Sequence, residues 1–225
     1  VAVITLNRPK VMNALNSQMR AEITDAVGQA GQAARVVVLT GSGRAFCSGQ
    51  DLGAEGNFAD IDLERTLKDE YVPMLKAITE CPVPTISAVN GPAAGAGANL
   101  ALAADVVIAA ESAYFVQAFT RIGLIPDAGG TYLLPRQMGL AKAMGAALFA
   151  DKIYARQASE MGMIWESVAD EKFVAQWQAR AEHLASGPTE TYCHVKTAIR
   201  QSFSNSEEDQ LELEAPGNIL LLNRD

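Results

Sequence analysis

The stretch "PTISAVNGPAAGAGANLALAAD", residues 84–105, decides the fold class of this chain. Its first part, "TISAV" (85–89), is a short β-branched run that is typical of a strand. The residues that follow have the pattern of a glycine-rich turn that runs into a buried helix. "VVIAA" (106–110) comes next and predicts another strand. A strand, a turn, a helix and a further strand in this order indicate an α/β structure with a largely parallel sheet.

The chain on either side of this stretch continues the alternation. "VAVITL" (1–6) and "RVVVLT" (35–40) predict strands, and apolar residues at helical spacing lie between them. A second helix is expected over residues 63–79, where "CPVP" ends it. "AYFVQ" (113–117) predicts one more strand, and from Ala128 onward the pattern is helical. We therefore expect strands and helices to alternate in the first half and helices to dominate the second.

The overall composition excludes several classes of function. The chain has 225 residues, of which 49% are hydrophobic, which is enough to bury the core of one large domain. Its net charge of −8 argues against a nucleic-acid or anionic-membrane partner, since both need a dense basic surface. Three irregularly spaced cysteines and two histidines form no metal-binding pattern. We expect a cytoplasmic protein without metal.

The two ends of the chain give no sign of a membrane segment. Every apolar run is shorter than the roughly 18 to 20 residues that span a bilayer. The chain begins inside a strand pattern, without the charged start and cleavage site of a signal peptide, so we expect a few residues to precede Val1.

Two glycine-rich turns follow strands in a similar way. The first turn comprises residues 41–49, and the second turn comprises residues 91–97. Such turns can direct backbone N–H groups at a single ligand oxygen. The dinucleotide-binding pattern G-x-G-x-x-G fails because Leu100 stands at its last glycine, and no G-K-[ST] of a P-loop is present. The alternative that these glycines only allow a helix to pack closely on a sheet remains open.

The acidic residue Asp127, in "IGLIPDAGGTYLLPR" (122–136), follows a proline and precedes two glycines. Its local sequence allows two interpretations: the N-cap of a helix that begins near Ala128, or a reactive carboxylate. A serine or cysteine nucleophile is disfavoured, because G-x-S-x-G is absent and neither histidine lies near a turn. We expect Cys47 to be a small buried packing residue.

Four motifs carry a resemblance to a known family. "LNRPKVMNALN" (6–16), "GRAFCSGQDL" (43–52) and the two stretches quoted above appear in the order and spacing of the crotonase superfamily, the enoyl-CoA hydratases and isomerases. The match covers nearly the whole chain and resembles most the ring 1,2-epoxyphenylacetyl-CoA isomerase branch of phenylacetate degradation. The resemblance implies an α/β fold built as a spiral of ββα units with a helical C-terminal region.

The family resemblance also implies a division of the chain and an oligomeric state. The spiral core would occupy residues 1–187, and a C-terminal helical segment, residues 188–225, would make an oligomer contact within one functional domain. Members of the superfamily assemble as trimers or dimers of trimers, so we expect a homotrimer or homohexamer.

The resemblance assigns chemistry to five residues. The backbone N–H groups of Gln50 and Ala96 correspond to those that hold the thioester oxygen of an acyl-CoA. The two glutamates with which hydratases hold a water fall here on Asn99 and Phe119, which cannot take a proton from water. Asp127 falls where related isomerases have their acid/base carboxylate. Simple hydration is therefore disfavoured, and one carboxylate would move a proton between two carbons.

The remaining assignments concern the coenzyme A portion of the substrate. By resemblance, the backbone of residues 10–14 would meet the adenosine end, with Arg8 or Lys10 near phosphate. For Asn99, a buried amide bonded to backbone and a group that orients the substrate or Asp127 are equally supported. The residues expected at the substrate are Arg8, Lys10, Val11, Met12, Ala14, Ser48, Gly49, Asp51, Leu52, Gly95 and Phe119.

The function expected from these assignments is isomerisation of an acyl-CoA, with coenzyme A as part of the substrate and no cofactor. The reaction would convert either ring 1,2-epoxyphenylacetyl-CoA to its oxepin or a 3-enoyl-CoA to a 2-enoyl-CoA. Two alternatives remain at this stage: an enoyl-CoA hydratase, which is a lyase of fatty acid metabolism, and a non-catalytic acyl-CoA-binding relative.

Overall fold

The computed structural model describes residues 1–53 and 62–222, with the backbone alone for 216–222. The polar stretch near 53–60, which we expect from its sequence to form a loop, lies almost wholly outside the described residues. The strands of the described part are β1 Ala2–Leu6, β2 Val37–Gly41, β3 Thr85–Val89, β4 Ala93–Ala94, β5 Val106–Ala110, β6 Tyr114–Val116, β7 Ile153–Tyr154 and β8 Glu166–Val168.

The helices fill the segments between and after these strands. They are α1 Ser17–Ala33, α2 Leu63–Thr66, α3 Val72–Thr79, α4 Ala96–Leu102, α5 Gly130–Met138, α6 Leu140–Phe149, α7 Ala155–Glu160, α8 Asp170–Ser186, α9 Thr189–Gln201 and α10 Glu207–Leu222. The helix predicted over 63–79 is continuous, but it contains a π turn, Leu67–Tyr71, between α2 and α3. No helix in the described ranges is both long and apolar enough to cross a membrane.

The strands form two sheets. The larger sheet is parallel throughout, in the order β1-β2-β3-β5-β8. The smaller sheet has the order β4-β6-β7, with β4 parallel and β7 antiparallel to β6. After β3, and again after β5, the chain adds a strand to the smaller sheet before it turns into a helix. These repeats are the predicted ββα units, and the α/β fold class is confirmed.

The core lies around the middle of the larger sheet. Every residue of β3 is buried, as is typical of a parallel strand with both faces covered. The strands expected from β-branched runs are all present. β7 and β8 were missed, since the region after Ala128 was expected to be helical. These strands have two and three residues, too few for a period-two pattern to appear in the sequence.

The described part of the C-terminal segment is helical, as predicted. Hydrogen bonds and ion pairs of two basic side chains fix α9 to the core. Lys196 Nζ donates to the carbonyls of Cys81 and Val83, at 2.8 and 2.9 Å, just where the chain leaves α3. Asp105 pairs with both Lys196 and Arg200, at 2.7 and 2.9 Å. The oligomer contact assigned to this segment stays a prediction.

Candidate active site

The two glycine-rich turns pack directly against each other. A Cβ on Gly49 would lie 2.7 Å from the carbonyl oxygen of Ala94, and a Cβ on Gly97 would lie 2.4 Å from that of Cys47. A backbone hydrogen bond from Ala94 N–H to Cys47 O, 2.9 Å, joins the two turns. The glycines are thus required by close backbone approach, and both turns meet at one place.

The two predicted oxyanion donors lie at this meeting point. Leu15 brackets Gln50, because its N–H donates to Gly49 O at 2.8 Å and its carbonyl accepts from Asp51 N–H at 3.0 Å. The N–H of Gln50 therefore faces away from Leu15. Ala96 is the first residue of α4, where a backbone N–H has no acceptor in its own helix. Among the hydrogen bonds of the described residues, neither N–H donates to the protein.

Asp127 does not cap a helix. α5 begins at Gly130 with Gly129 as its N-cap and without a side-chain capping bond, so the capping interpretation is wrong. Ala128 and Gly129 follow Asp127 with φ angles of 47° and 82°, a left-handed stretch that is unusual for alanine. Partial burial raises the pKa of Asp127 to about 6, although its own backbone N–H lowers it in part.

The buried amide of Asn99 holds the main chain of Asp127. Asn99 Nδ2 donates to the Asp127 carbonyl oxygen at 2.7 Å, and Asn99 Oδ1 accepts from Gln117 Nε2 at 2.9 Å. Asn99 is fully buried. Of the two alternatives, the amide bonded to backbone is observed, and the backbone in question is that of Asp127. Since Ala96 and Asn99 both belong to α4, one helix connects a predicted donor with the predicted base.

Phe119 occupies the second position at which a hydratase would have a glutamate. It is buried within the 3₁₀ turn Ala118–Ile122. Its ring lies against Gly95, where an added Cβ would be 3.7 Å away. The second turn is therefore bordered by an aromatic ring and carries no acid at this position.

The residues predicted to meet coenzyme A are brought together by contacts between two segments. Arg8 Nη1 donates to the Ala14 carbonyl at 2.6 Å and pairs with Asp51 Oδ2 at 2.7 Å. Ser48 N–H donates to Met12 O at 3.0 Å, and its hydroxyl donates to Val11 O at 3.2 Å. The exposed residues along this edge are Lys10, Val11, Met12 and Leu52.

Three residues next to Gln50 were missed by sequence reasoning. Arg20 is fully buried in α1, and its guanidinium donates to Gln50 Oε1 at 2.8 Å. Tyr71 donates its hydroxyl to the same oxygen at 2.7 Å, and Glu70 pairs with Arg20. A signal was available, because Arg20 shares the helical stripe of Ile23 and Val27, where a buried charge needs a partner.

Burial raises the pKa values of two side chains at the site. For Tyr71, the nearby charge of Arg20 opposes this rise. Burial also raises the pKa of Cys47 to about 12, so its thiol stays protonated near neutral pH. Across the described ranges, no three His, Cys, Asp or Glu side chains gather as a metal site.

Comparison with known proteins gives a consistent result over almost the whole chain. Residues 1–217 match the family described as enoyl-CoA hydratase/isomerase. The chain is 62% identical over 215 residues to the "probable enoyl-CoA hydratase" of Rhodobacter capsulatus, covering 96% of this chain and 83% of that protein. It is 45% identical over 219 residues to the 1,2-epoxyphenylacetyl-CoA isomerase of Escherichia coli, covering 95% and 84%. The crystal structure of an enoyl-CoA hydratase from Bacillus anthracis superposes with a TM-score of 0.91 at 30% identity, covering 99% and 87%.

Proposed function

The chain belongs to the enoyl-CoA hydratase/isomerase family, and from this premise we propose that it is an acyl-CoA isomerase with Asp127 as its proton carrier. The observation that carries the proposal is the environment of Asp127. Its pKa of about 6, raised by burial, lets the carboxyl group both accept and return a proton near neutral pH. Its main chain is bonded to Asn99 of α4, the helix that begins with Ala96.

The reaction is a transfer of one proton through an enolate. The N–H groups of Gln50 and Ala96 donate to the thioester oxygen, and each stabilises the developing negative charge by about 3 to 4 kcal/mol. The Asp127 carboxylate removes a proton from a carbon next to, or conjugated with, the thioester. The resulting carboxylic acid returns that proton to a different carbon. In a 3-enoyl-CoA the double bond moves along the chain; in the ring 1,2-epoxide the C–C bond shared by the two rings also breaks, which expands the ring to the oxepin. Both products are isomers of their substrates, so no other reactant is consumed.

Two substrates are proposed for this chemistry, a ring 1,2-epoxyphenylacetyl-CoA and a 3-enoyl-CoA. The isomerase from Escherichia coli, 45% identical, supports the first by the name it carries. Coenzyme A would lie along residues 10–14, where the exposed Lys10 can meet a phosphate. Such a local cation is needed because the protein as a whole carries a net charge of −8.

Hydration of a 2-enoyl-CoA is the rival function, favoured by the 62% identity to a "probable enoyl-CoA hydratase". Against it, Phe119 carries no acid, and Asn99 already uses its amide nitrogen on Asp127 and its oxygen on Gln117. Neither residue offers a base for an attacking water.

Asp127→Asn separates the possible functions. We expect it to lower the isomerisation rate of a 3-enoyl-CoA at least about 10³-fold, because the base is lost while the side-chain volume is kept. Its affinity for the coenzyme A ester should stay within a few-fold of the native value. Fast hydration of crotonyl-CoA that survives Asp127→Asn would establish the hydratase instead. If the native protein exchanges no proton with any acyl-CoA tested, a non-catalytic binding role is correct.

We also propose that the protein assembles as a homotrimer or a dimer of trimers. α6 exposes Leu140, Met144 and Leu148, which lie four residues apart on one face of the helix. Such an apolar stripe is typical of a surface that another subunit covers. The C-terminal segment, residues 188–225, is the other proposed contact. Light scattering measures the mass directly, and a monomer at micromolar concentration would contradict the proposal.

A further inference from the structure

We infer that Arg20, with Glu70 and Tyr71, positions the backbone N–H of Gln50 that donates to the thioester oxygen. These three residues are called the Arg20 cluster below. The inference rests on the proposed role of Gln50 as an oxyanion donor. It adds residues from α1 and the π turn that do not touch the substrate themselves.

One nitrogen of the Arg20 guanidinium contacts both Gln50 and Leu15, the residue bonded to the backbone on either side of Gln50. Arg20 Nη1 donates to the carbonyl of Leu15 at 2.9 Å and to Gln50 Oε1 at 2.8 Å. Leu15 is the residue whose backbone brackets Gln50 through Gly49 and Asp51. The guanidinium therefore connects the side chain of Gln50 to the strand-like segment that orients its backbone.

Glu70 fixes the guanidinium in place. Its Oε2 accepts from Arg20 Nε at 2.9 Å and from Nη2 at 2.7 Å. Burial alone would raise the pKa of Glu70, but hydrogen bonds from Arg20 and Ser17 and the charge of Arg20 outweigh it, so the pKa is lowered. A buried arginine without such a partner would be strongly destabilising. The pair gives Arg20 one position from which to hold Gln50.

Tyr71 supplies the second contact to the Gln50 side chain. Its hydroxyl donates to Gln50 Oε1, and its ring lies 4.8 Å from the Arg20 guanidinium carbon, in cation–π geometry. Gln50 Nε2 is buried and makes no hydrogen bond. The two donors at Oε1 are thus the side-chain hydrogen bonds that fix the orientation of Gln50.

This arrangement matters because an oxyanion donor must be aimed within a few tenths of an ångström. Donors act at 2.7 to 3.1 Å from the oxygen that becomes negative in the transition state, and a misplaced donor loses most of its effect. The peptide that carries the N–H of Gln50 is held at its other side, because the Gly49 carbonyl accepts from Leu15 N–H. The Arg20 cluster acts on both ends of this arrangement, since Arg20 donates to the Leu15 carbonyl and to the Gln50 side chain.

Tyr71→Phe is the sharpest test, because it removes one oxygen and keeps the ring over Arg20. We expect kcat for isomerisation to fall about 10-fold, with KM for the acyl-CoA within about twofold, since binding away from the thioester is unchanged. The double variant Arg20→Met/Glu70→Met removes both charges together and should lower kcat about 100-fold. Arg20→Lys in the native background should retain an intermediate rate.

A spectroscopic measurement distinguishes positioning from general loss of structure. The resonance of butyryl-CoA labelled with ¹³C at the thioester carbonyl moves downfield on binding in proportion to the hydrogen bonds at its oxygen. We expect this displacement to shrink in Tyr71→Phe and further in the double variant. Arg180→Met/Glu166→Met is the matched control, because it removes another forked Arg–Glu pair, at 3.0 and 3.1 Å, between α8 and β8. It should leave kcat and the displacement unchanged.

The outcomes separate this inference from the proposed function. If Tyr71→Phe keeps the native kcat and the native ¹³C displacement, the positioning role is wrong while isomerisation by Asp127 stands. If the native protein shows the displacement but isomerises no acyl-CoA, the proposed function fails and the variants still test the Arg20 cluster. Should the double variant fail to fold, Tyr71→Phe decides alone.

Discussion

The two turns that bear the predicted donors are held in different ways. The second turn leads straight into α4, so the position of Ala96 follows from the helix and from the close contact of Gly97 with Cys47. Gln50 directly follows the first turn, and its side chain is held by Arg20 and by Tyr71, which is 21 residues further along the chain. One donor is fixed by local backbone, and the other by side chains that are distant in sequence.

This difference determines what each turn can tolerate. A substitution in the second turn meets backbone atoms and should disturb the whole fold. A substitution at Tyr71, which contacts Gln50 through its side chain, should disturb the orientation of one N–H group with a smaller loss of stability. The three predictions that follow test this contrast.

The largest effect is expected for Gly97→Ala in the second turn. The new Cβ would lie 2.4 Å from the Cys47 carbonyl oxygen and 2.7 Å from its sulfur, so the two turns must separate. We expect a loss of about 3 kcal/mol in the free energy of unfolding and loss of activity. Thermal and urea denaturation, followed by circular dichroism, measure the loss in the free energy of unfolding.

Gly28→Ala is the matched control for that substitution. Gly28 lies exposed in α1 with no atom within 4 Å of a new Cβ, so alanine should stabilise the helix by about 1 kcal/mol. A Gly97→Ala variant as stable as native protein would mean that the second turn adapts easily, and the contrast between the turns would disappear.

An intermediate effect is expected for Asn99→Leu, which acts on the base and leaves both turns in place. It removes one of the two hydrogen bonds to Asp127 O, so that the bond from Gly130 N–H remains, and it leaves the amide nitrogen of Gln117 without its acceptor, at a cost of about 1 to 3 kcal/mol. We expect kcat to fall about 10- to 100-fold as the carboxylate loses its position. Stopped-flow kinetics measures the fall in kcat, and urea denaturation measures the loss in the free energy of unfolding.

Gln137→Met controls for the loss of a buried amide near α4. Gln137 Nε2 donates to the carbonyl of Leu102 at 3.0 Å, at the opposite end of the helix from Ala96. This variant should lose similar stability and keep its kcat. Equal falls in kcat for both variants would show that Asn99 has no particular effect on Asp127.

The smallest effect concerns how the free energy of unfolding depends on pH. This dependence has opposite signs for Asp127, whose pKa is raised, and for Glu70, whose pKa is lowered. The pKa of Asp127 is raised from 3.8 to about 6, so the folded state binds its proton more tightly, and stability is lost as pH rises between these values. Glu70 has a lowered pKa and contributes stability that is lost as pH falls below about 4.5. We expect Asp127→Asn to be more stable than native protein above pH 6, by about 1 kcal/mol after allowance for solvent screening.

Urea denaturation from pH 4 to pH 8 measures this difference. The advantage of Asp127→Asn should vanish toward pH 4, while the deficit of Glu70→Gln should be largest at neutral pH. A pH-independent difference for Asp127→Asn would show that its pKa is not shifted. In the native enzyme, kcat should rise with pH through about 6 as the base ionises.

The fold and the second turn could be predicted from sequence because their causes are local. β-branched runs, glycines and helical stripes lie within a few residues of the structures they form. The Arg20 cluster could not be assembled in this way, because α1 and the π turn are about 50 residues apart and only the fold brings them together. The left-handed turn at Ala128 and Gly129, directly after Asp127, was also missed, since an aspartate at such a position is equally typical of a cap.

The shared use of α4 has a consequence for regiochemistry. Ala96 and Asn99 are three residues apart, about 4.5 Å along the helix axis, and Asn99 is bonded to the backbone of Asp127. Any small movement of α4 therefore carries the proposed donor and the proposed base together. We therefore expect the distance between the bound thioester oxygen and the carboxylate to stay constant, and this distance to determine which carbons, counted from the carbonyl, can exchange a proton.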